Sequence, residues 1–427
     1  MKLMILLAAA VLVAQPLLAQ PVTLGELHDA AHAADPRLRQ LELEVEQSEL
    51  RLRNLAAERR PALAVEAQIQ YQSDVLQFPF ASPGGAPVQP PKDTYDASVR
   101  LEQSIIDPTL RSRLAAERAR LGEALSRIET ALFPLRLEVN EAFFAAVSLQ
   151  QREAQIDAGI TDLEARLRDA RVRVEEGAAL PSEPASIEAA LLARRQDALQ
   201  IRAQRRAALG RLSELTGKEI ALDQPLSIPD LEERVRNARS RLRELRERPE
   251  YEQFSRTRDR LEAQKELLRG QDEPRLFAYG RAGIGKPGLN LLNDGFDAYW
   301  IAGLRLQWKP WNWGVSDRER RVLELQQEAI ESEESAFDRM LGRSLQSDLA
   351  TIDQLDEVLA LDRQIVALRE LIDRETKVRY GERVVTAAEM VDKNTDVLEA
   401  RILRAVHEVD LAQARARLLT LLGLETR

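Results

Sequence analysis

Two kinds of hydrophobic periodicity alternate along this chain. Leu63, Val65, Ala67, Ile69 and Tyr71 alternate with Ala64, Glu66, Gln68, Gln70 and Gln72. That period of two predicts a strand with one apolar and one polar face. After a Pro- and Gly-rich loop at 78–91, Tyr95, Ala97, Val99 and Leu101 alternate with Asp96, Ser98, Arg100 and Glu102, completing a hairpin. A second pair follows two hundred residues later. Its clean member sets Trp300, Ala302, Leu304, Leu306 and Trp308 against Ile301, Gly303, Arg305, Gln307 and Lys309, while in its partner Phe277 and Tyr279 break the alternation. Strands are expected at residues 61–73, 94–106, 274–285 and 298–309.

Between the strands the period changes to that of long helices. Leu121, Leu125, Ile128, Leu132 and Leu135 begin a stripe that reaches Val174 by alternating steps of four and three, with Glu153 its one polar member. A 3.5-residue period held this long means coiled-coil packing. It predicts a helix at 109–176, about 100 Å long at 1.5 Å per residue. A looser stripe through Phe337, Leu341, Leu345, Leu349 and Ile352 predicts another at 314–380. Shorter helices are expected at 22–59, where Thr23 and Glu26 form a capping-box pattern, and at 184–217, 230–270 and 384–423. Glycine-containing turns, 177–183 and 381–385, interrupt the helical stretches. The order helix, two strands, long helix, turn, helix therefore occurs twice, and Val99 to Glu102 and Gly177 have counterparts in Leu304 to Gln307 and Gly381 at nearly the same offset. The chain reads as a signal segment, 1–19, and two structural repeats, 20–224 and 225–427.

Composition narrows the class. The chain is 44% hydrophobic but only 4% aromatic, with 31% charged residues, which suits long helices better than a thick globular core. Lys2, the apolar run from Leu3 to Val13 and Leu17-Leu18-Ala19 before Gln20 read as a secretory signal, too short to span a bilayer. Cysteine is absent, so disulfides, thiolate metal sites and a lipidated cysteine are excluded. A formal net charge of −9, with no basic cluster among aromatics, argues against nucleic-acid binding. Strands near ten residues long with aromatics at their ends match transmembrane β-barrel strands, but a soluble sheet packed on a helix fits the strands alone equally well. The coiled-coil helices favour the barrel, and four strands cannot close one without oligomerisation.

In ordered combination these segments resemble the TolC-like outer-membrane efflux proteins, over the whole length from Val22. The resemblance is carried by Thr23-Leu24 with Asp35-Pro36, Arg60 to Leu63, Gln103 to Asp107, Arg305 to Trp308 with Trp313-Gly314, Tyr380 to Arg383, and Leu418 to Gly423. It implies a mainly α fold with a small β part. Long helices would form a periplasmic α-barrel, and four strands per protomer would close as a twelve-stranded barrel in a homotrimer. It further implies residence in outer-membrane lipid and a passive exit duct for a tripartite efflux or type I secretion system. The implied partners are a periplasmic adaptor, or membrane fusion protein, and an inner-membrane pump of the ABC, RND or MFS type. In that family the two helical turns form the gate and adaptor contact, here Gly177, Ser182, Glu183, Gly381 and Arg383, with Arg383 facing Ser182 and Glu183 across the closed tip. Where the family carries an aspartate ring after the second turn, this chain has Ala387 and Met390 beside Glu389, which removes the basis for a cation-selective ring.

The polar strand residues Glu66, Gln68, Arg100, Glu102, Arg305 and Gln307 are the expected lining of an aqueous lumen. Nothing suggests an enzyme, cofactor or metal. His28 and His32 lie one helical turn apart but lack a third ligand and read as exposed helix histidines. Gly280, Gly283 and Gly285 lack the strand-turn-helix context of a phosphate loop and read as strand glycines. The alternative function is a periplasmic coiled-coil adaptor or scaffold, which would share the signal segment and heptads but has no need of apolar strand faces.

Overall fold

The computed structural model describes residues 22–76, 89–242, 246–290 and 294–424; the expected signal segment and the middle of the first hairpin loop lie outside them. The protein is mostly helical with one small antiparallel sheet. It divides into two compact units: residues 1–38, 131–249 and 338–427 in one, residues 39–130 and 250–337 in the other. No helix among the described residues is long and apolar enough to cross a membrane.

The helices are α1 (Leu24–Ala34), α2 (Leu38–Ala57), α3 (Thr109–Leu132), α4 (Pro134–Glu175), α5 (Ser182–Thr216), α6 (Glu232–Ser240), α7 (Pro249–Gln271), α8 (Val315–Gly381) and α9 (Ala387–Leu421). Three expected continuous helices are broken, each at a proline. The helix expected at 22–59 ends at Asp35, whose extended backbone (φ −72°, ψ 125°) is what a following proline demands. That expected at 109–176 is interrupted at Phe133, because Pro134 has no N–H to continue the ladder. The one expected at 230–270 separates into α6 and α7, with Pro249 opening α7 at a position where its missing N–H costs nothing. The 67 residues of α8 contain no proline and run unbroken.

In the second unit the strands β1 (Ala62–Tyr71), β2 (Asp93–Ile106), β3 (Arg275–Lys286) and β4 (Asp297–Gln307) form a sheet in the order β1-β2-β3-β4, every pairing antiparallel. The Val65↔Val99, Val99↔Ala282 and Ala282↔Trp300 pairings put the apolar residues of all four strands on one face. No helix among the described residues covers that face: Val65, Ile69, Trp300 and Leu304 are between 71% and 79% exposed. The glycines of β3 sit within the strand. Gly283 is required there, since a Cβ would stand 2.7 Å from the Ala97 carbonyl oxygen.

In the first unit the coiled-coil expectation explains the packing, with Leu163, Leu167 and Ala170 of α4 against Ile187 and Leu191 of α5 and Ala387 and Met390 of α9. Glu153, the polar interruption, is a half-buried anchor. It accepts from Arg202 Nε at 2.7 Å and Arg205 Nη1 at 2.9 Å across the α4–α5 seam. Burial opposes its ionisation, but the two guanidinium groups outweigh this and hold its pKa below the usual carboxylate value. Arg205 also binds Gln150, whose amide grips both backbone groups of Leu226 at 3.1 Å. Val22 pairs in parallel with that same segment.

His28 is not an exposed helix histidine. Its Nε2 lies 2.8 Å from Asn140 Oδ1, and Asn140 Nδ2 donates to Thr420 Oγ1 at 3.0 Å, so the network ties α1, α4 and α9 together. His32 is exposed and takes no part in a metal cluster among the described residues. Burial lowers the His28 pKa below its usual value. As pH falls below about 6.5 the unfolded chain takes up a proton that the folded site resists, so stability is lost on acidification. The His28→Gln variant should show a smaller drop in melting temperature between pH 7.5 and 5.5 than the parent. Asn140→Ala, which strands two buried partners, should cost about 2 kcal/mol in denaturant unfolding of the solubilised protein.

Candidate functional site

Two polar sites emerge, one in each unit. The first is formed by the turns joining α4 to α5 and α8 to α9. Each turn closes its preceding helix with a left-handed residue. In the first, Gly177 has φ 69°, its N–H donates to the Val174 carbonyl and the Ala178 N–H to that of Arg173. In the second, the left-handed position belongs to Arg383 (φ 66°), whose N–H donates to Tyr380 while the Val384 N–H donates to Arg379. Both have the 6→1 and 5→2 bonds of a Schellman cap. Gly177 and Arg383 are therefore the geometric counterparts, whereas Gly381 is the final residue of α8. A bulky residue at positive φ is strained, of order 1–3 kcal/mol, and such strain clusters at functional sites.

Behind the turns, Glu183 is held within its own protomer. Tyr380 Oη donates to Glu183 Oε2 at 2.8 Å, and Arg173 Nη2 lies 3.5 Å from the same oxygen. The Arg173 guanidinium also sits over the Tyr380 ring, 4.3 Å from its centroid. Burial of the hydroxyl, reinforced by the Glu183 bond, pushes the Tyr380 pKa up to about 12. Ser182 is exposed at the start of α5. Arg383 is exposed, with no ion pair among the described residues, so the structure does not bring it to Ser182 or Glu183 of the same chain. Ala387 and Met390 are buried in the helical core rather than presented at the turn.

Some three to four helical turns back along α4, Asp162 accepts from Arg166 and from Asn394 Nδ2 of α9 at 2.8 Å, with Lys377 Nζ of α8 at 3.8 Å. Burial raises the cost of its charge, yet these donors and cations offset it and the pKa is lowered. Three helices thus converge on one carboxylate.

The second site is the polar face of the sheet. Arg100 pairs with Glu66 at 3.1 Å, Arg305 with Glu102 at 2.6 Å and Arg281 with Asp96 at 2.6 Å, while Gln68 donates to Gln70 at 2.8 Å. Gln307 lies opposite Arg275 at the helix-side end of the strands. The irregular pattern of β3 resolves here. Phe277 and Tyr279 stand on the polar face, Arg305 stacks 5.3 Å from the Phe277 centroid, and the Tyr279 ring lies over Gly303, where a Cβ would meet its hydroxyl at 2.8 Å. Asp96, Arg281 and Tyr299 extend the site; Asp96 falls in the expected alternation of β2, whereas the broken alternation of β3 hid Arg281. At the turns, nothing in the sequence linked Arg173 and Tyr380 to Glu183, because the contact joins three helices.

No family model and no curated protein matches this sequence. Solved structures do match in three dimensions. The MtrE outer membrane channel of Neisseria gonorrhoeae, in its open state, is 19% identical with a TM-score of 0.65, over 95% of this chain and 89% of that one. The CmeC outer membrane channel of Campylobacter jejuni is 14% identical with a TM-score of 0.63, over 94% and 85%. The outer membrane protein VceC of Vibrio cholerae is 14% identical with a TM-score of 0.64, over 95% and 97%. At these identities the likeness is one of fold: the chain has the TolC-like fold of outer-membrane channel proteins. MtrE and CmeC are described as outer membrane channels and VceC as an outer membrane protein.

Tyr380→Phe should loosen the turns by removing the donor that holds Glu183. Amide exchange at Ala178, Glu183 and Val384 should accelerate by about 5- to 10-fold, as expected for one hydrogen bond worth about 1 kcal/mol. Unchanged protection would assign the closure to the backbone caps alone.

Proposed function

We propose that this chain is one protomer of an outer-membrane exit duct, a homotrimer whose twelve strands close a barrel and whose helices continue it as a periplasmic tunnel. One observation carries this reading: a four-stranded sheet with two open edges, one face apolar and uncovered, and the other a ladder of paired charges. In water such a face would aggregate. In a bilayer the apolar face meets lipid, the edges pair with neighbouring protomers and the polar face lines the lumen, with Glu66, Gln68, Arg100, Glu102, Arg305 and Gln307 on it.

The helices support the same assembly. On α8, Leu361, Ile365, Leu368 and Ile372 form an exposed apolar stripe at heptad steps, and α5 exposes Leu192 and Leu199 seven residues apart. Helix faces of this kind suit contacts between protomers. The two halves are read as an internal duplication, each contributing a hairpin and a helical turn. The turns form the gate and adaptor contact, with Arg383 pairing to Ser182 or Glu183 of a neighbouring protomer. An adaptor docks there and an inner-membrane pump of the ABC, RND or MFS type supplies substrate, so the duct serves efflux or type I secretion. The mixed polar lining is not a binding pocket and leaves the exported substrate open.

Extraction from membranes in mild detergent followed by light scattering should give a trimer; a soluble monomer or dimer would favour the adaptor reading instead. In planar bilayers, Arg383→Ala should raise single-channel conductance several-fold, since it removes the cation of the gate pair. Conductance equal to the parent's would refute a gating role for Arg383. Cysteines placed at Glu66 or Arg305 should react with impermeant thiol reagents.

A further inference from the structure

A cleft of about 610 Å³ is enclosed by α4, α5 and α9, entirely within the first unit. Ile156 of α4 and Ile201 of α5, both buried, pack with Ile402 of α9 in its wall. Leu403 continues that apolar surface and is 50% exposed. A space of this size, set between helices and walled by aliphatic side chains, suits a small molecule.

The charged groups indicate which kind. Arginines around the cleft are matched by carboxylates: Arg202 and Arg205 by Glu153 at 2.7 and 2.9 Å, Arg194 by Asp197 at 3.2 Å, and Arg195 by Glu164 at 2.7 Å. Arg152 of α4 and Glu399 of α9 are different. Both line the cleft, yet neither forms an ion pair with the other or with any other of the described residues. The Arg152 Nε is shut off from solvent and has no acceptor, so this guanidinium is partly desolvated while its charge stays uncompensated. A purely anionic amphiphile in the cleft would meet Glu399, and a purely cationic one would meet Arg152. One free cation and one free anion beside an aliphatic wall are complementary to a molecule that carries both charges and an apolar body.

We propose that this cleft binds a small amphipathic zwitterion, its apolar chain against Ile156, Ile201 and Leu403, its anionic group on Arg152 and its cationic group on Glu399. The site is built by one protomer and does not rest on the barrel reading. Because the chain has no cysteine, Leu403→Cys places a single thiol in the cleft wall. The full chain is reconstituted in nanodiscs, and the rate of labelling by a soluble maleimide is measured against three probes below their micelle concentrations: a decyl sulfobetaine, decanesulfonate and decyltrimethylammonium. The sulfobetaine should slow labelling saturably and at the lowest concentration. Arg152→Gln should weaken the sulfobetaine and decanesulfonate by about tenfold, and Glu399→Gln the sulfobetaine and decyltrimethylammonium, as expected for the loss of one charged contact. Equal protection by all three probes, unchanged in both variants, would overturn the site in favour of unspecific partition. A thiol that resists labelling without any probe would overturn it in favour of a protein contact covering the cleft. Leu180→Cys, exposed at the first turn, is the control and should label at the same rate throughout. Equilibrium dialysis of radiolabelled sulfobetaine against the unsubstituted chain, corrected for empty nanodiscs, guards against damage from the new cysteine; no saturable binding there would also overturn the proposal.

Discussion

The two edges of the sheet impose the constraint on which the rest of this structure depends. β1 and β4 each leave one side of the backbone ladder without a partner, and the side chains on the apolar face beside those edges offer no polar substitute. Edge strands in soluble proteins are protected by inward charges, prolines or covering helices. Here Leu63, Val65, Ile69, Leu304 and Leu306 stand at the edges, all more than half exposed. In the proposed assembly, pairing of β1 with a neighbouring β4 would satisfy both edges without new elements. The requirement reaches into the helices, whose exposed heptad stripes would bring the same neighbours together.

Helix packing solves a different problem. A long seam of leucine and alanine specifies contact but not register, because each heptad resembles the next. The Glu153, Arg202 and Arg205 cluster breaks that degeneracy, since a slip of one heptad would leave a half-buried carboxylate and the buried Arg205 guanidinium unpaired. Arg205 is 9% exposed, so the penalty for misalignment is that of an uncompensated buried charge. Gln150, one turn away, transfers the same alignment to the Leu226 segment through two backbone hydrogen bonds. Polar anchoring at a few points along an apolar seam thus fixes what the apolar residues leave open.

Much of the fold was legible because two different periods mark its parts. Strand boundaries fell within about two residues of those expected, since a period of two is hard to mistake over ten residues. The break in the first long helix was missed for a physical reason: the apolar stripe continues from Leu132 to Leu135 across Pro134, and the stripe reports which face is buried rather than whether the ladder is intact. The turns misled in another way. Gly381 looks like the natural partner of Gly177, but the helix runs through it and Arg383 takes the left-handed cap, a choice that propensity would not favour. The Glu183, Tyr380 and Arg173 contact was invisible because no sequence spacing links residues from three helices.

The sheet's polar face also constrains what a duct built from it would do. Arg100, Arg281 and Arg305 are each matched by a carboxylate within 3.1 Å, so the face carries many charges but little net field. Selective passage of one sign of ion requires unpaired charge focused in a narrow, poorly screened space. Paired charges instead keep the surface hydrated while giving no sign of solute a deep well in which to lodge. A lining of this kind favours the transit of chemically varied solutes over retention of any one. Discrimination would then have to reside at the turns, where Arg383 stands exposed without a partner in its own chain among the described residues. The same chain therefore combines a permissive polar face with a turn whose strained arginine is free to respond to a neighbour.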